Sequence, residues 1–305
     1  MTTSFTERLM RVAMPAIRLM QDHMPFSTAN WFLKQSMKHL RLGDGVMHEA
    51  VSADGVPCIW LVPQDDPADR VLLYLHGGGF VFGLTAQHMG LGAYLARKMA
   101  SRVLMVDYRL APQHPFPAAL DDCAAAYRWL LEQDVPAGNI TVAGDSAGGN
   151  LTLTLLMKLR DEGDPLPAAA ACLSPVADLS RVNDQRAYRD PLLSPRAMER
   201  YSAAYAGDHD PRDPLISPAF GRWHDLPPLL IHAGEDEILR KDALQVEALA
   251  RAAGVDARLE IYPRMWHVWQ IYLAMPEATQ SLDDIAQFLR SHQHSSQTTP
   301  AATPA

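Results

Sequence analysis

An α/β architecture, a mostly parallel sheet with helices on both faces, is predicted by three observations. From Val46 onward, apolar strand-like runs alternate with helical patterns. One such run, Asn139 to Ala143, passes at once into Gly144-Asp-Ser-Ala-Gly148, which fits G-x-S-x-G, and then into a helical run from Asn150 to Leu159. Another, Arg70 to Leu75, passes into three consecutive glycines, Gly77 to Gly79. Runs this apolar suit strands covered on both faces.

Residues 1 to about 40 carry a helical pattern in which Phe5, Leu9, Val12, Ala13, Ile17 and Met20 fall near one face. Pro15 predicts a kink or break there, Met24-Pro25 an end, and Asn30 a cap for a second helix from Trp31. Val46–Val51 and Val56–Val62 read as strands joined by the Asp54-Gly55 turn. The strand ending at Leu75 follows, then a helix around Gly90–Ala100 and a strand at Val103–Val106. A helix at Ala118–Leu131 leads to the serine-bearing strand, and the helix after it to a strand at Ala168–Leu173. Beyond an interruption come a strand at Pro228–His232, a helix at Lys241–Ala253, a strand at Ala257–Tyr262 and a helix at Ala278–Leu289.

These boundaries divide the chain into N-terminal cap helices (1–45), a catalytic domain (46–290) and a disordered polar tail (291–305). The interruption at about 176–219 is too long for an ordinary connection and is expected to form a cap insert over the serine.

Hydrophobic residues make up 48% of the 305 residues, enough for a large core. The net charge of -8, with no basic run, excludes a nucleic-acid partner. No stretch approaches the ~20 apolar residues of a membrane span, and Glu7, Arg8, Arg11 and Arg18 interrupt any signal-peptide core. Cys58, Cys123 and Cys172 are odd in number and lack metal-ligand spacing, so they read as small buried hydrophobes in a reducing compartment. A cytoplasmic protein without membrane partner is expected, and its oligomeric state stays open, a homodimer included.

A nucleophilic serine needs a base, a group to orient the base, and donors for the oxyanion. Ser146 is the nucleophile in this reading, with Gly144 and Gly148 bare because side chains there would collide with neighbouring backbone. The helix starting at the serine offers the free N–H of Ala147. The glycine loop offers the N–H groups of Gly78 and Gly79, with Gly77 the weaker choice. His76 is expected to hold that loop in shape. The lysine and hydroxyl of a phosphate loop are missing. Among twelve histidines, His267 follows the last strand, as the order serine, acid, histidine requires. The acid should follow the preceding strand, where Gly234-Glu-Asp-Glu-Ile-Leu239 lies. Asp236 is the choice there, with Glu235 and Glu237 as flanking rivals.

With these motifs together, the sequence resembles the bacterial hormone-sensitive-lipase-like carboxylesterases of the α/β-hydrolases over about residues 46–290. The resemblance rests on His76-Gly-Gly-Gly-Phe80, Asp107-Tyr-Arg-Leu-Ala-Pro112 with His114-Pro-Phe-Pro-Ala-Ala119, Gly144-Asp-Ser-Ala-Gly-Gly149, Ser217-Pro218, Leu226-Pro-Pro228, and Asp236 with His267. It implies an eight-stranded α/β-hydrolase sheet with a helical cap, no cofactor and no metal. It also implies a Ser146, Asp236, His267 triad and an oxyanion hole of Gly78, Gly79 and Ala147. One departure is the acid motif, Asp-Glu-Ile-Leu where the family commonly has Asp-Pro-Leu.

The function expected is hydrolysis of short- to medium-chain carboxylic esters, small-molecule substrates, through an acyl-enzyme. An amidase or formamidase would use the same residues. A non-catalytic receptor on this fold is the reading from a different class, and His267 argues against it.

Overall fold

The structure is a computed structural model and describes residues 4–37, 42, 45–65, 69–181 and 190–293. Its strands are β1 (Val46–Ala53), β2 (Val56–Pro63), β3 (Val71–Leu75), β4 (Arg102–Val106), β5 (Ile140–Asp145), β6 (Ala169–Leu173), β7 (Leu229–Gly234) and β8 (Ala257–Tyr262). They form one 8-stranded sheet in the order β1-β2-β4-β3-β5-β6-β7-β8. β2 runs antiparallel to both β1 and β4, and every other pairing is parallel. At the β1–β2 turn, Asp54 and Gly55 both adopt positive φ, 48° and 85°, as a tight hairpin between twisted strands requires.

The helices are α1 (Phe5–His23), α2 (Phe26–Met37), α3 (Ala86–Met99), α4 (Ala118–Glu132), α5 (Ala147–Glu162), α6 (Pro195–Ala206), α7 (Arg240–Ala252) and α8 (Pro276–His292). Successive side chains of a strand face opposite ways, and β3 shows the result. Leu72 and Tyr74 join α3 and α8 in one core, while Leu73 and Leu75 join α4 and α5 in another. α7 packs with Leu153, Leu156 and Met157 of α5 beneath β6 and β7. All five side chains of β3 are buried, which accounts for its unbroken apolar sequence.

The N-terminal segment differs from expectation in three ways. α1 runs without a break through Pro15. The face it buries shares only Ile17 with the one expected: Met14 is buried and Met10 and Ile17 are partly buried against Trp266, Trp269 and Met275. Phe5, Leu9, Val12 and Met20 point outward, with Phe5 82% exposed. Asn30 lies inside α2 rather than capping it. Its side chain donates to the Val81 carbonyl at 2.7 Å and accepts from Gly83 N–H at 3.1 Å, tying α2 to the glycine loop.

α6 begins at the Ser194 cap with Pro195 in its first turn and lies against α1. Arg200 donates to the Met24 carbonyl at 2.9 Å and Ser194 hydrogen-bonds Asp22. Of the expected insert, residues 182–189 lie outside the described residues, as do 294–305 of the expected tail. The tail's first residues are ordered instead, with Ser291 and His292 ending α8 and Gln293 buried and donating to the Val71 and Asn139 carbonyls. Among the described residues, no helix is long and apolar enough to cross a membrane.

Candidate active site

Parallel strands deliver their following loops to one edge of the sheet. Along that edge lie the glycine loop after β3, Ser146 after β5, Ser174 after β6, the acidic run after β7 and His267 after β8. β3 and β5 are neighbours, so the glycine loop and the serine meet directly.

Ser146 sits at φ 54°, ψ -116° between β5 and α5. This is backbone that an L-residue holds only when its surroundings force it. The glycines on either side explain how the turn closes. A Cβ on Gly148 would stand 1.8 Å from the Leu75 carbonyl oxygen, and one on Gly144 would stand 2.3 Å from that of Gly148. Ser146 N–H donates to the Leu173 carbonyl at 2.8 Å and its carbonyl accepts from Asn150 at 3.0 Å. The Ser146 backbone is thus pinned from both sides.

That hydroxyl lies 2.9 Å from Nε2 of His267. Burial pushes the His267 ring down to about 4, so near neutrality it is uncharged and able to accept a proton. The other ring nitrogen, Nδ1, faces Glu237 Oε2 at 4.0 Å. Glu237 is completely buried, and its Oε2 accepts from the Ser174 hydroxyl at 2.6 Å. The same hydroxyl accepts from Val268 N–H at 3.2 Å, so Ser174 joins the acidic loop to the histidine loop. Burial raises the Glu237 carboxyl well above the ordinary value, and the Ser174 hydrogen bond opposes this. His267 Nδ1 and Glu237 Oε1 are both buried without a hydrogen-bond partner. Leaving such groups unpaired is costly.

Asp236, expected to orient the base, lies elsewhere. Its Oδ2 accepts from Arg11 of α1 at 3.0 Å and its side chain is 35% exposed. The physical reason is the turn after β7: Glu235 stays at the surface, Asp236 lies halfway, and Glu237 turns inward with Ile238 and Leu239. Glu235 accepts from Arg264 N–H at 3.0 Å, also away from the base.

The glycine loop is held by Asp145, the residue before the serine. Its Oδ1 accepts from Gly77 N–H at 2.9 Å and from the Tyr74 hydroxyl at 2.8 Å, while His88 Nε2 lies 3.4 Å from Oδ2. Burial alone pushes the Asp145 carboxyl up, but His88, Tyr74 and Gly77 outweigh this and hold it below the ordinary value. The bond to Asp145 occupies the N–H of Gly77. Gly78 and Gly79 adopt φ 117° and 60°, backbone that glycine reaches without strain. Gly78, Gly79, Ser146, Ala147 and His267 line one cavity of about 150 Å³. His76 stacks on Tyr108 with centroids 4.2 Å apart, and its Nδ1 lies 2.7 Å from the Gly77 carbonyl. Sequence reasoning did not single out Asp145, His88 or Ser174. Only the second position of G-x-S-x-G, just before the serine, could have signalled the first.

The cavity is roofed by Gln21 of α1, by Met198, Tyr201 and Ser202 of α6, and by Leu192 and Leu193. A second cavity of about 310 Å³, lined by Ile17, Met20, Met24, Phe32 and Leu33, meets the first at Gln21, Gly78, Phe82 and His88. Among the described residues, no group of acidic, histidine or cysteine side chains could hold a metal ion.

Comparison with known proteins identifies the family. A family model of the α/β-hydrolase fold matches residues 72–271. An acetyl-hydrolase of Streptomyces hygroscopicus is 44% identical over 76% of this chain and 79% of its own length. An esterase of Acinetobacter venetianus is 35% identical over 73% of this chain and 76% of its own. The crystal structure of an esterase from the bacterial hormone-sensitive lipase family superposes with a TM-score of 0.88, at 37% identity, over 96% of this chain and all 100% of the other. The esterase EstE5, in crystals soaked with p-nitrophenyl butyrate, superposes with a TM-score of 0.84 at 38% identity, over 89% of this chain and 92% of its own. The chain belongs to the α/β-hydrolase fold family and, within it, to the bacterial hormone-sensitive-lipase-like carboxylesterases.

Proposed function

We propose that Ser146, His267 and Glu237 are the catalytic triad of this carboxylic ester hydrolase, with Gly78, Gly79 and Ala147 as oxyanion donors. The observation that carries the reading is the 2.9 Å contact between Ser146 Oγ and His267 Nε2, in a cavity lined by the three donors. Glu237 replaces Asp236 as the acid because its carboxylate is the one beside Nδ1.

In this mechanism His267 removes the hydroxyl proton as Ser146 Oγ attacks the acyl carbon. The negative charge that develops on the former carbonyl oxygen is met by the N–H groups of Gly78, Gly79 and Ala147. Those groups are fixed before reaction and need not reorganise. The imidazolium gives its proton to the departing alkoxide, which leaves as the alcohol. Water then attacks the acyl-enzyme with His267 again as base, releasing the acid. Glu237 keeps the Nδ1 proton in place, leaving Nε2 as the acceptor, and stabilises the transient imidazolium.

Substrate size follows from the two cavities. The one at Ser146, about 150 Å³, amounts to roughly five liquid-water volumes and suits a short acyl group. The larger, apolar one between α1 and α2 suits the alcohol portion. The relative named an acetyl-hydrolase and the neighbour soaked with a butyrate ester support the same size class. Cap helices 1–45, the catalytic body from 46 to 290 and the insert at about 176–219 remain the division that best fits these contacts. The buried free cysteines favour a cytoplasmic setting.

A small organophosphate is the direct test. It is expected to label Ser146 stoichiometrically, and Ser146→Ala is expected to lose both labelling and ester turnover. Turnover above a few per cent in purified, contaminant-free Ser146→Ala would overturn the assignment.

A further inference from the structure

Arg11 and Arg18 stand two turns apart on α1, and both reach the segments that flank Glu237. Arg11 Nη2 donates to Asp236 Oδ2 at 3.0 Å, and the same guanidinium donates to the Arg264 carbonyl, three residues before His267. Its Nε is held by Glu7 Oε1 at 3.0 Å, and the guanidinium lies 5.6 Å over the ring of Trp266. Arg18 Nη1 donates to the Asp190 carbonyl at 2.7 Å. The Asp190 carboxylate in turn accepts from Ile238 N–H at 3.1 Å. The residues on either side of Glu237 are therefore both tied to α1, one directly and one through Asp190.

Glu7 shows how fully this contact is built. Its carboxylate is completely buried, with Oε1 3.0 Å from Arg11 Nε and 3.6 Å from Arg264 Nη2. A buried carboxylate persists only where opposite charge and hydrogen bonds offset its lost hydration. Here both cations belong to the junction between α1 and the histidine loop.

We infer that Arg11 is a positioning residue for the triad: through Asp236 and the Arg264 carbonyl it sets the acid-bearing loop against the histidine-bearing loop. This rests on Glu237 being the acid. Arg11 lines neither cavity, so its loss is expected to act on the rate rather than on substrate binding. Its pair with Asp236 is part-exposed, at 27% and 35%, and such pairs add little to stability. Catalytic geometry is far less forgiving, since a displacement of about 1 Å can cost roughly 10²-fold in rate.

Arg11→Met, Arg11→Lys, Asp236→Asn and the Arg11→Met/Asp236→Asn double variant test this, with exposed Arg251→Ala as control. Arg11→Met is expected to lower kcat about 10- to 100-fold, with KM within about twofold where the protein stays folded, and to lower the unfolding temperature because buried Glu7 loses its nearest cation. Asp236→Asn, which leaves the Arg11–Glu7 pair in place, reads the positioning effect without that loss. The acid limb of its pH profile should move to lower pH, because a displaced Glu237 supports the imidazolium less. Arg11→Lys should recover part of the loss, and the double variant should be no worse than the more damaged single one, as for residues acting through one contact. Raised KM with intact kcat would overturn the inference and make α1 only a roof. So would additive losses in the double variant, or wild-type kcat in Asp236→Asn, the near-isosteric variant that keeps the fold. Glu237→Gln separates the two readings. If it retains turnover, the triad reading fails. If it is inactive while Arg11→Met keeps its kcat, positioning alone fails.

Discussion

His267 stands between Ser146 and Glu237, its Nε2 2.9 Å from the hydroxyl and its Nδ1 4.0 Å from the carboxylate. Desolvation of the ring moves its protonation to about 4, and the neutral ring is the form that can take the serine proton. The kcat/KM profile is therefore expected to be level through neutrality and to fall as pH drops, with its limb on the acid side of the free histidine value of about 6.5. That limb belongs to the His267–Glu237 pair as a unit. A limb at or above pH ~6.5, with chemistry limiting, would contradict the buried neutral base.

Within the acidic run, Glu237→Gln should be the most damaging change. Removing the charge that orients the base costs about 10⁴ in kcat in a well-studied triad, and a loss of roughly 10³–10⁴ is expected here by the same logic. Glu235→Gln, which alters only the bond to Arg264 N–H, should stay within a few-fold. Steady-state kinetics on these variants decides the ranking, and near-wild-type turnover in Glu237→Gln would remove it from the triad.

Gly148→Ala should prevent folding rather than merely slow the reaction. Its new methyl would lie 1.8 Å from the Leu75 carbonyl oxygen and 2.7 Å from that of His76, main chain of a buried strand end that cannot move aside. Gly163→Ala is the contrast: its Cβ meets nothing within 4 Å but must sit at φ 77°. A cost of about 1 kcal/mol is expected there. Denaturant unfolding monitored by circular dichroism separates the outcomes, and a folded, cooperative Gly148→Ala would refute the packing argument.

A panel of p-nitrophenyl esters should show a rate maximum at short acyl chains and a fall before about eight carbons. Each buried methylene adds only ~0.8 kcal/mol until Met198, Tyr201, Leu192 and Leu193 close the cavity. Met198→Ala should move the maximum one or two carbons longer without reducing Ser146 labelling. A maximum on long-chain triglyceride emulsions would defeat the short-acyl reading.

Strand ends were legible because each chemical group follows a recognisable apolar run, as at Leu75, Ala143 and Tyr262. Which of three adjacent carboxylates turns inward was not legible, since that depends on the bend after Gly234. The one available signal was that Glu237 adjoins the apolar pair Ile238-Leu239, whereas Asp236 adjoins Glu235. α1 failed for a related reason. It carries apolar residues around more than half its circumference, so periodicity alone could not say whether Phe5, Leu9 and Val12 or Met10, Met14 and Ile17 face the body. Gly77 was already the weaker choice beside Gly78 and Gly79, and the physical reason, its N–H bonded to Asp145 across 68 residues, was not visible in the sequence.

α5 is buried along its first ten residues, from Ala147 to Leu156, between sheet and neighbouring helices. Its amides should therefore exchange with solvent only when the whole molecule opens, whereas α1, with its outer face in water, can leave by itself. Heating then separates two events that are usually treated as one. Reactivity of Ser146 toward a small label is expected to report survival of the body, and ester turnover to need α1 in place as well, so activity should fall at temperatures where Ser146 is still labelled.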